Sequence, residues 1–386
     1  MASTGPLGPE THQSKGKTLM LSTRVLGEQE MRRLVAAVGL HALMDETIAA
    51  LERTLAGFDS AHTELRKREG FQYQHPSPGV FEWMPVMEVG RQVVVKLVGY
   101  NPANVEGMGL PTILSSISLY DVNTGHLRAL CDGTFPTALR TGAASAVASR
   151  HLARPDSQVL GLVGCGAQAV TQAHALSRLF PLKRLVVYDR RPETARSFAR
   201  RVDFLGLPVE AVPLEHVERE ADILCTATSV EVGAGPVLSG TQLKPHIHIN
   251  AVGSDLPGKT ELPLELLRRA LVCPDYLPQA LEEGECQQLR PGDIGPSLFE
   301  LVRSSEPGRR HHGRPTVFDS TGIALEDQVV LEVLLTHAQN LGIGRLVQLE
   351  SLADDPRDPY SFLRTEGVLP EAARTDYRTQ VSACES

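Results

Sequence analysis

The sequence predicts an α/β protein: a Rossmann-type doubly wound parallel sheet plus a smaller mixed α+β domain. Three observations predict it. The stretch Gln158 to Asp189 reads as strand, glycine turn, helix and strand. Short apolar runs then alternate with helical stretches as far as Phe318. Upstream, helical periodicity gives way to short β-rich runs broken by Gly, Asn and Pro.

Residues 1–17, rich in Gly, Pro, Ser and Thr with few large apolar side chains, read as a disordered leader. Helical spacing begins near Glu28 and continues through Met31, Leu34, Val38, Leu43, Ile48, Leu51 and Leu55, enough for one or two helices. From Phe81 the pattern becomes β-rich: Phe81 to Met84, Gln92 to Val98 and Thr112 to Tyr120, with Asp121-Val122-Asn123-Thr124-Gly125 as a hairpin turn. Thr137 to Leu152 is an alanine-rich helix whose small residues permit close packing against a neighbour.

Val159 to Val163 is an apolar strand running into Gly164-Cys165-Gly166-Ala167-Gln168-Ala169, a G-x-G-x-x-A turn. Gly164 allows the tight turn, Gly166 lets the backbone approach a pyrophosphate, and Ala169 lets the helix pack on the strand. The helix N-terminus then offers unpaired N–H groups to phosphate. Leu185 to Tyr188 makes a second strand ending in Asp189, an acidic residue placed to accept a ribose 2′-OH. A nicotinamide dinucleotide is the expected cofactor. Asp189 favours NAD, while Arg190-Arg191 leave NADP open.

After Asp189 the alternation continues with a helix from Pro192 to Phe204 and strands at Val209 to Val212, Ile223 to Thr226, His246 to Val252, Ala270 to Cys273 and Thr316 to Phe318. An amphipathic helix from about Ala324 to Asn340 stops at Leu341-Gly342 and is expected to return to the first domain. The tail from Ser351 is polar and carries three prolines.

Charged residues at 22%, hydrophobic ones at 42% and a formal net charge of −8 describe a globular protein without the basic surface that nucleic acid or anionic membrane demands. No apolar run approaches the roughly 20 residues that span a bilayer, and no signal peptide is read at the N-terminus, so a cytoplasmic location is expected. Six scattered cysteines without a C-x-x-C pair suggest neither a disulfide framework nor zinc, and no metal site is expected.

The densest polar cluster, His246 to Leu262, follows a parallel strand, so Asp255 and Lys259 fall at the carboxyl edge of the sheet, where α/β proteins place ligands. Asp255 suits a general acid or base, or else a turn-holding carboxylate. His246 and His248 alternate on a buried strand and read as packed rather than metal-bound. In the first domain Arg68, Glu82, Lys96 and Arg140 are charges bordering apolar or small-residue segments. Lys96 interrupts a run of valines, so it must reach a partner, a ligand or water, unless it guards a sheet edge. Arg140 could fork onto a carboxylate or a phosphate, or form a surface salt bridge.

Glu82-Trp83-Met84-Pro85, the Lys96 strand, Thr137-Ala138-Leu139-Arg140-Thr141, Gly164 to Gln168, His248 to Leu262, Glu283-Gly284-Glu285 and Phe318-Asp319-Ser320-Thr321-Gly322 together resemble the ornithine cyclodeaminase and mu-crystallin family, in register from about Arg24 to Gly342. Several further segments, Gly284 to Leu289 among them, resemble the bacterial lysine cyclodeaminases of that family. The resemblance implies an ammonia-lyase that converts L-lysine to L-pipecolate by an internal NAD+/NADH cycle. Ornithine cyclodeamination, cyclic ketimine reduction and non-catalytic NADP(H) binding of the mu-crystallin kind are the other readings. It implies Arg68, Lys96 and Arg140 as a clamp on the substrate carboxylate, Glu82 facing the amines, and Asp255 as acid/base, with Asp255, Glu82 and Lys96 the catalytic set. Thr112, Arg140, Thr141, Gly164, Gly166, Ala167, Gln168, Asp189, Thr226, Lys259, Ser320 and Thr321 are the implied nucleotide contacts. Residues 18–140 with 324–386 would form the substrate-binding and dimerisation domain and 141–323 the Rossmann domain, in a homodimer.

Overall fold

The computed structural model describes residues 21–304, 311–365 and 368. The chain divides into a unit of residues 24–345 and a terminal unit of residues 1–23 and 346–386. The expected leader, 1–17, lies outside the described residues. In the terminal unit a short helix, Ser361–Thr365, is anchored where Asp355 N–H donates to Ser361 Oγ at 3.0 Å.

The larger unit contains two sheets. Strands β1 (Thr23–Leu26), β2 (Thr63–Leu65), β3 (Glu69–Tyr73), β4 (Gly79–Glu88), β5 (Gln92–Tyr100), β6 (Ile113–Asp121) and β7 (Leu127–Asp132) form the first, in the order β1-β7-β6-β5-β4-β2. Strand β3 pairs with the first half of β4 and β2 with its second half. Only the β1–β7 pair in this order is parallel, so the sheet is mixed, as expected. The sequence reading missed β1, β2 and β3, and gave only the hairpin turn that leads into β7. The first three are short, and β3 is exposed along most of its length, so it carries no inward-facing period.

The periodicity from Glu28 resolves into two helices, Glu28–Val38 and Leu40–Gly57, which meet at 93°. Gly39 makes the break at φ 93°, a conformation that L side chains rarely adopt. Leu43, Met44, Ile48, Leu51 and Leu55 of the second helix enter the core under the first sheet. Among the described residues no single helix is long and apolar enough to cross a membrane.

The second sheet comprises β8 (Val159–Val163), β9 (Arg184–Tyr188), β10 (Val209–Ala211), β11 (Ile223–Thr226), β12 (His248–Ala251), β13 (Leu271–Pro274) and β14 (Thr316–Asp319). Its order is β10-β9-β8-β11-β12-β14-β13, and each pair is parallel. The chain order reverses between β8 and β11, and that switch point opens a crevice beyond the carboxyl ends of the strands. One apolar cluster built on Leu160, Leu162 and Phe198 and another built on Val186, Leu224 and Ile249 flank the sheet.

Two helices join the sheets. The alanine-rich helix runs Thr134–Leu152, starting three residues earlier than predicted. A Cβ at its Gly142 would stand 2.5 Å from the Thr171 carbonyl, so glycine is what lets it lie against the helix Ala167–Ser177. The helix Ala324–Asn340 packs on both the alanine-rich helix and Leu40–Gly57. It is not simply amphipathic: Ala324 to Leu331 are buried all round, because this half is wedged between the sheets.

Candidate active site

The alternation along β5 buries Gln92, Val94, Lys96 and Val98 together. Lys96 therefore points into the core, and because β5 lies between β4 and β6 it is not an edge lysine. Its ammonium sits 2.8 Å from Asp327 Oδ2, and Asp327 is fully buried at the start of the helix Ala324–Asn340. Burial, with Arg140 nearby, draws the lysine down to about 8.

Arg140 is buried as well and reaches the same helix. Its Nε lies 3.1 Å from Asp327 Oδ1 and its Nη1 2.6 Å from Glu326 Oε2. It is a buried ion pair rather than a surface one. Asp327 thus joins both cations through its two oxygens.

Arg68 stands between β2 and β3 and reaches across to the loop that follows β14. It donates to the carbonyls of Thr321 and Gly322 and contacts Glu82 Oε2 at 3.4 Å and Glu283 Oε1 at 3.0 Å. Gly322 separates the two guanidiniums: a Cβ there would meet Arg140 Nη1 at 2.6 Å. Glu82, inward on β4, is pushed up by burial against the pull of Arg68, with Asp255 adding to the rise.

Asp255 follows β12, and its Oδ1 accepts from Lys259 Nζ at 2.7 Å. Lys259 is buried with its ammonium 5.4 Å from the Tyr100 ring centroid. Burial works against that charge, but Asp255 and Tyr100 hold it above the usual lysine range. The Asp255 carboxylate is close enough to bear on the ionisation of Arg68 and Glu82, although the three come from both sheets. A cavity of about 160 Å³ opens among Arg68, Val80, Glu82, Pro257, Gln279 and Glu283.

On the nucleotide side, Gly164 ends β8 at φ +87°, and a Cβ there would stand 2.5 Å from the Ala227 carbonyl, so only glycine fits. Gly166 and Ala167 are exposed at the helix start, and nothing lies within 4 Å of a Cβ built on Gly166. Gln168 stays within the first turn, where its Oε1 accepts from Thr171 Oγ1. Asp189 accepts from the backbone N–H of Cys165 and of Arg191, both at 2.9 Å. Arg191 contacts Glu106 at 2.5 Å. Ser320 Oγ is buried without a hydrogen-bond partner among the described residues. The open glycine turn, the tethered acid and this orphaned hydroxyl fit a dinucleotide.

The remaining candidates are held differently. Thr226 donates to Glu261 at 2.6 Å, Thr321 donates to Asp275 at 2.9 Å, and the Thr141 hydroxyl bonds its own helix at Thr137. Thr112 lies just before β6, its carbonyl accepting from Asn101 N–H at 2.8 Å. His246 and His248 stay out of the crevice. His248 is buried between Ser149 and Thr316, and burial drives its imidazole down to about 3, leaving it neutral.

The sequence reading missed Asp327, Glu326, Asp275, Gln279 and Glu283. One signal was available for the first two: a Glu-Asp pair shortly before Val329 to Leu335, a run that is apolar apart from Glu332. Such a pair inside a packed helix needs cations to meet it.

The switch-point turn and the parallel sheet define a Rossmann-type dinucleotide-binding protein, and the ion cluster adds a small cavity lined by charges. The profile of the ornithine cyclodeaminase/mu-crystallin family matches residues 28–340, and the chain belongs to that family. It is 45% identical to the L-lysine cyclodeaminase of Streptomyces rapamycinicus over 89% of this chain and all of that one. It is 34% identical to the ornithine cyclodeaminase of Agrobacterium fabrum over 80% of this chain and 88% of that one. A lysine cyclodeaminase structure described for its recognition of L-lysine, L-ornithine and L-2,4-diaminobutyric acid superposes with a TM-score of 0.86 at 50% identity, covering 89% of this chain and 100% of that one. An archaeal alanine dehydrogenase dimer with bound NAD gives 0.76 at 30% identity, with 86% and 100% covered.

Proposed function

We propose that the protein is an L-lysine cyclodeaminase that forms L-pipecolate and ammonia with NAD as a resident cofactor. The observation that carries this reading is the convergence of Arg68, Lys96 and Arg140 with Glu82 and Asp255, the last at the carboxyl edge of the sheet that bears the glycine turn. Cations there suit a carboxylate, and carboxylates suit amines. The 45% identity to a lysine cyclodeaminase supports lysine as the substrate.

Gly164, Gly166, Ala167 and Gln168 would hold the pyrophosphate and Asp189 the ribose, with Ser320 completing the nicotinamide side. Arg191, already paired with Glu106, leaves Asp189 to set the preference for NAD. Bound there, NAD would supply the two-electron acceptor and donor for the redox change at Cα. Lys96, Arg68 and Arg140 orient the carboxylate. Asp255 takes a proton from the terminal ammonium so that this nitrogen attacks Cα. Holding both ends of one chain in a small cavity supplies much of the acceleration by proximity. Residues 18–140 with 324–386 serve as the substrate-binding and dimerisation part, and 141–323 as the nucleotide-binding part.

Lysine with substoichiometric NAD+ is expected to give pipecolate and ammonia with no net change in NADH absorbance. NADH accumulating in proportion to lysine consumed would instead make the protein a dehydrogenase.

The face of the first sheet turned away from the core carries Phe71, Phe81, Leu97 and Leu114, all exposed, with Phe71 opposite Phe81 and Trp83 opposite Leu97 in register. A contiguous apolar stripe of this kind marks an association surface, and a second copy of the chain is its proposed occupant. Sedimentation is expected to show a dimer that Phe81→Asp converts to monomer; a monomeric wild type would end that assignment.

A further inference from the structure

Cyclodeamination, the reading on which this step rests, poses a proton problem that one carboxylate cannot solve. The α-ammonium must lose a proton before Cα can be oxidised, and the terminal ammonium must lose another before it can attack. Two protons must later return, one to the ring nitrogen and one to departing ammonia. Asp255 can store one at a time, and Glu82, which faces the amines, is held by the Arg68 guanidinium, from which its Oε2 accepts at 3.4 Å.

Glu283 sits where a second store is needed. It lines the cavity with Arg68 and Glu82, its side chain is 6% exposed, and its Oε1 makes the 3.0 Å ion contact with Arg68 Nε but no hydrogen bond among the described residues. Its backbone is pinned. Gly284 turns at φ +76° with the Asp319 carboxylate 2.7 Å from where a Cβ would stand, and the N–H groups of Glu285 and Cys286 donate to that carboxylate at 2.8 and 2.7 Å. Glu285 in turn accepts from the N–H of Glu261 and Leu262, tying the turn to the Asp255 loop. A carboxyl on so rigid a turn, facing a cavity and lacking a hydrogen bond of its own, is built to meet a ligand.

We propose that Glu283 is the second proton-transfer group of the reaction, serving the α-nitrogen while Asp255 serves the terminal one. Glu283 accepts the α-ammonium proton, and oxidation at Cα then leaves a C=NH2+ group. Asp255 accepts a proton from the terminal ammonium, and the free amine forms the ring C–N bond. Glu283 gives its proton to the α-nitrogen and takes one from the ring nitrogen, the bond to the α-nitrogen breaks, and NH3 departs from a cyclic iminium. After re-reduction at carbon, the ring nitrogen recovers the proton held by Asp255, and the proton on Glu283 leaves with ammonia as ammonium. Both carboxylates end as they began, and the electron balance closes on the dinucleotide.

The charged groups facing Glu283 are Arg68, Glu82, Asp255 and Asp275. Burial pushes its carboxyl up to about 8, against the pull of Arg68 and with the other three carboxylates adding to the rise. A group poised there exchanges protons with an amine at small driving force in either direction.

The test compares two reactions of the full-length, NAD-loaded protein: lysine cyclodeamination, and NADH-dependent reduction of the six-membered cyclic imino acid, which bypasses every step assigned to Glu283. Glu283→Gln is expected to lower kcat for lysine by about 10²- to 10⁴-fold, leave calorimetric lysine affinity unchanged, and keep imine reduction. Glu283→Asp should restore part of the turnover. Three results would overturn the inference: full lysine turnover in Glu283→Gln, equal loss of both reactions, or a raised KM with intact kcat, which would make Glu283 merely the holder of Arg68. A wild type that releases no ammonia from lysine would remove the functional reading itself.

Discussion

Asp255→Asn leaves dinucleotide affinity intact and lowers turnover of lysine by about 10²- to 10⁴-fold, the range of a lost general acid or base. The amide is close to isosteric, and its oxygen can still accept from Lys259 Nζ, now 2.7 Å from Asp255 Oδ1. Lys259 therefore stays in place over Tyr100, and the nucleotide side of the crevice keeps its shape. The amide cannot take a proton at neutral pH, so the terminal ammonium has no acceptor and the ring does not close. Unlike Glu283→Gln, this variant should lose imine reduction as well, because the ring nitrogen depends on the proton that Asp255 returns. Titration calorimetry with NAD+ and an ammonia assay separate the two effects. Wild-type turnover in Asp255→Asn would take this carboxylate out of the chemistry.

What could be read before folding was periodic or strongly patterned. The parallel sheet was legible because its strands are buried on both faces and appear as unbroken apolar runs such as Leu185 to Tyr188. Lys96 was legible as a candidate because a charge among valines must reach a partner, a ligand or water, but excluding the edge-lysine reading took the placement of β5 between β4 and β6. The counterions were not. Asp327 is far from Lys96 and Arg140 in sequence, and only the packing of Ala324–Asn340 between the sheets brings them together. Glu283 was recorded only as part of a Glu-Gly-Glu resemblance. Its relation to Arg68 depends on β2, β3 and the loop after β14, and the two strands carry no apolar period that could have revealed them.

The same missed residue yields the largest expected loss of stability. Asp327 is fully buried and neutralises two buried cations. Removing one member of a buried pair leaves an uncompensated charge and typically costs about 3–5 kcal/mol. Asp327→Ala is therefore expected to unfold at clearly lower urea than the wild type. Arg140 cannot relieve the strain by losing its proton, but it retains Glu326. Lys96 can, and will. Its folded pKa, already drawn down to about 8 from an ordinary value of 10.5, falls further once Asp327 no longer favours the charged form. The sign then follows. A depressed lysine binds fewer protons folded than unfolded between the two values, so its burial penalty is full below about pH 8 and fades as pH rises toward 10.5. The carboxylate grip runs the other way, being strong while Lys96 is charged and lost as pH climbs through its folded pKa. In the wild type the Lys96 limb of kcat/KM for lysine, which reports the free enzyme, should therefore fall above about pH 8, against the rise that ionisation of Glu283 brings over the same range. In the milder Asp327→Asn variant that decline should begin at lower pH, with the urea midpoint reduced. An alkaline limb that does not move when Asp327 is replaced would show that Lys96 is not the cation that senses it.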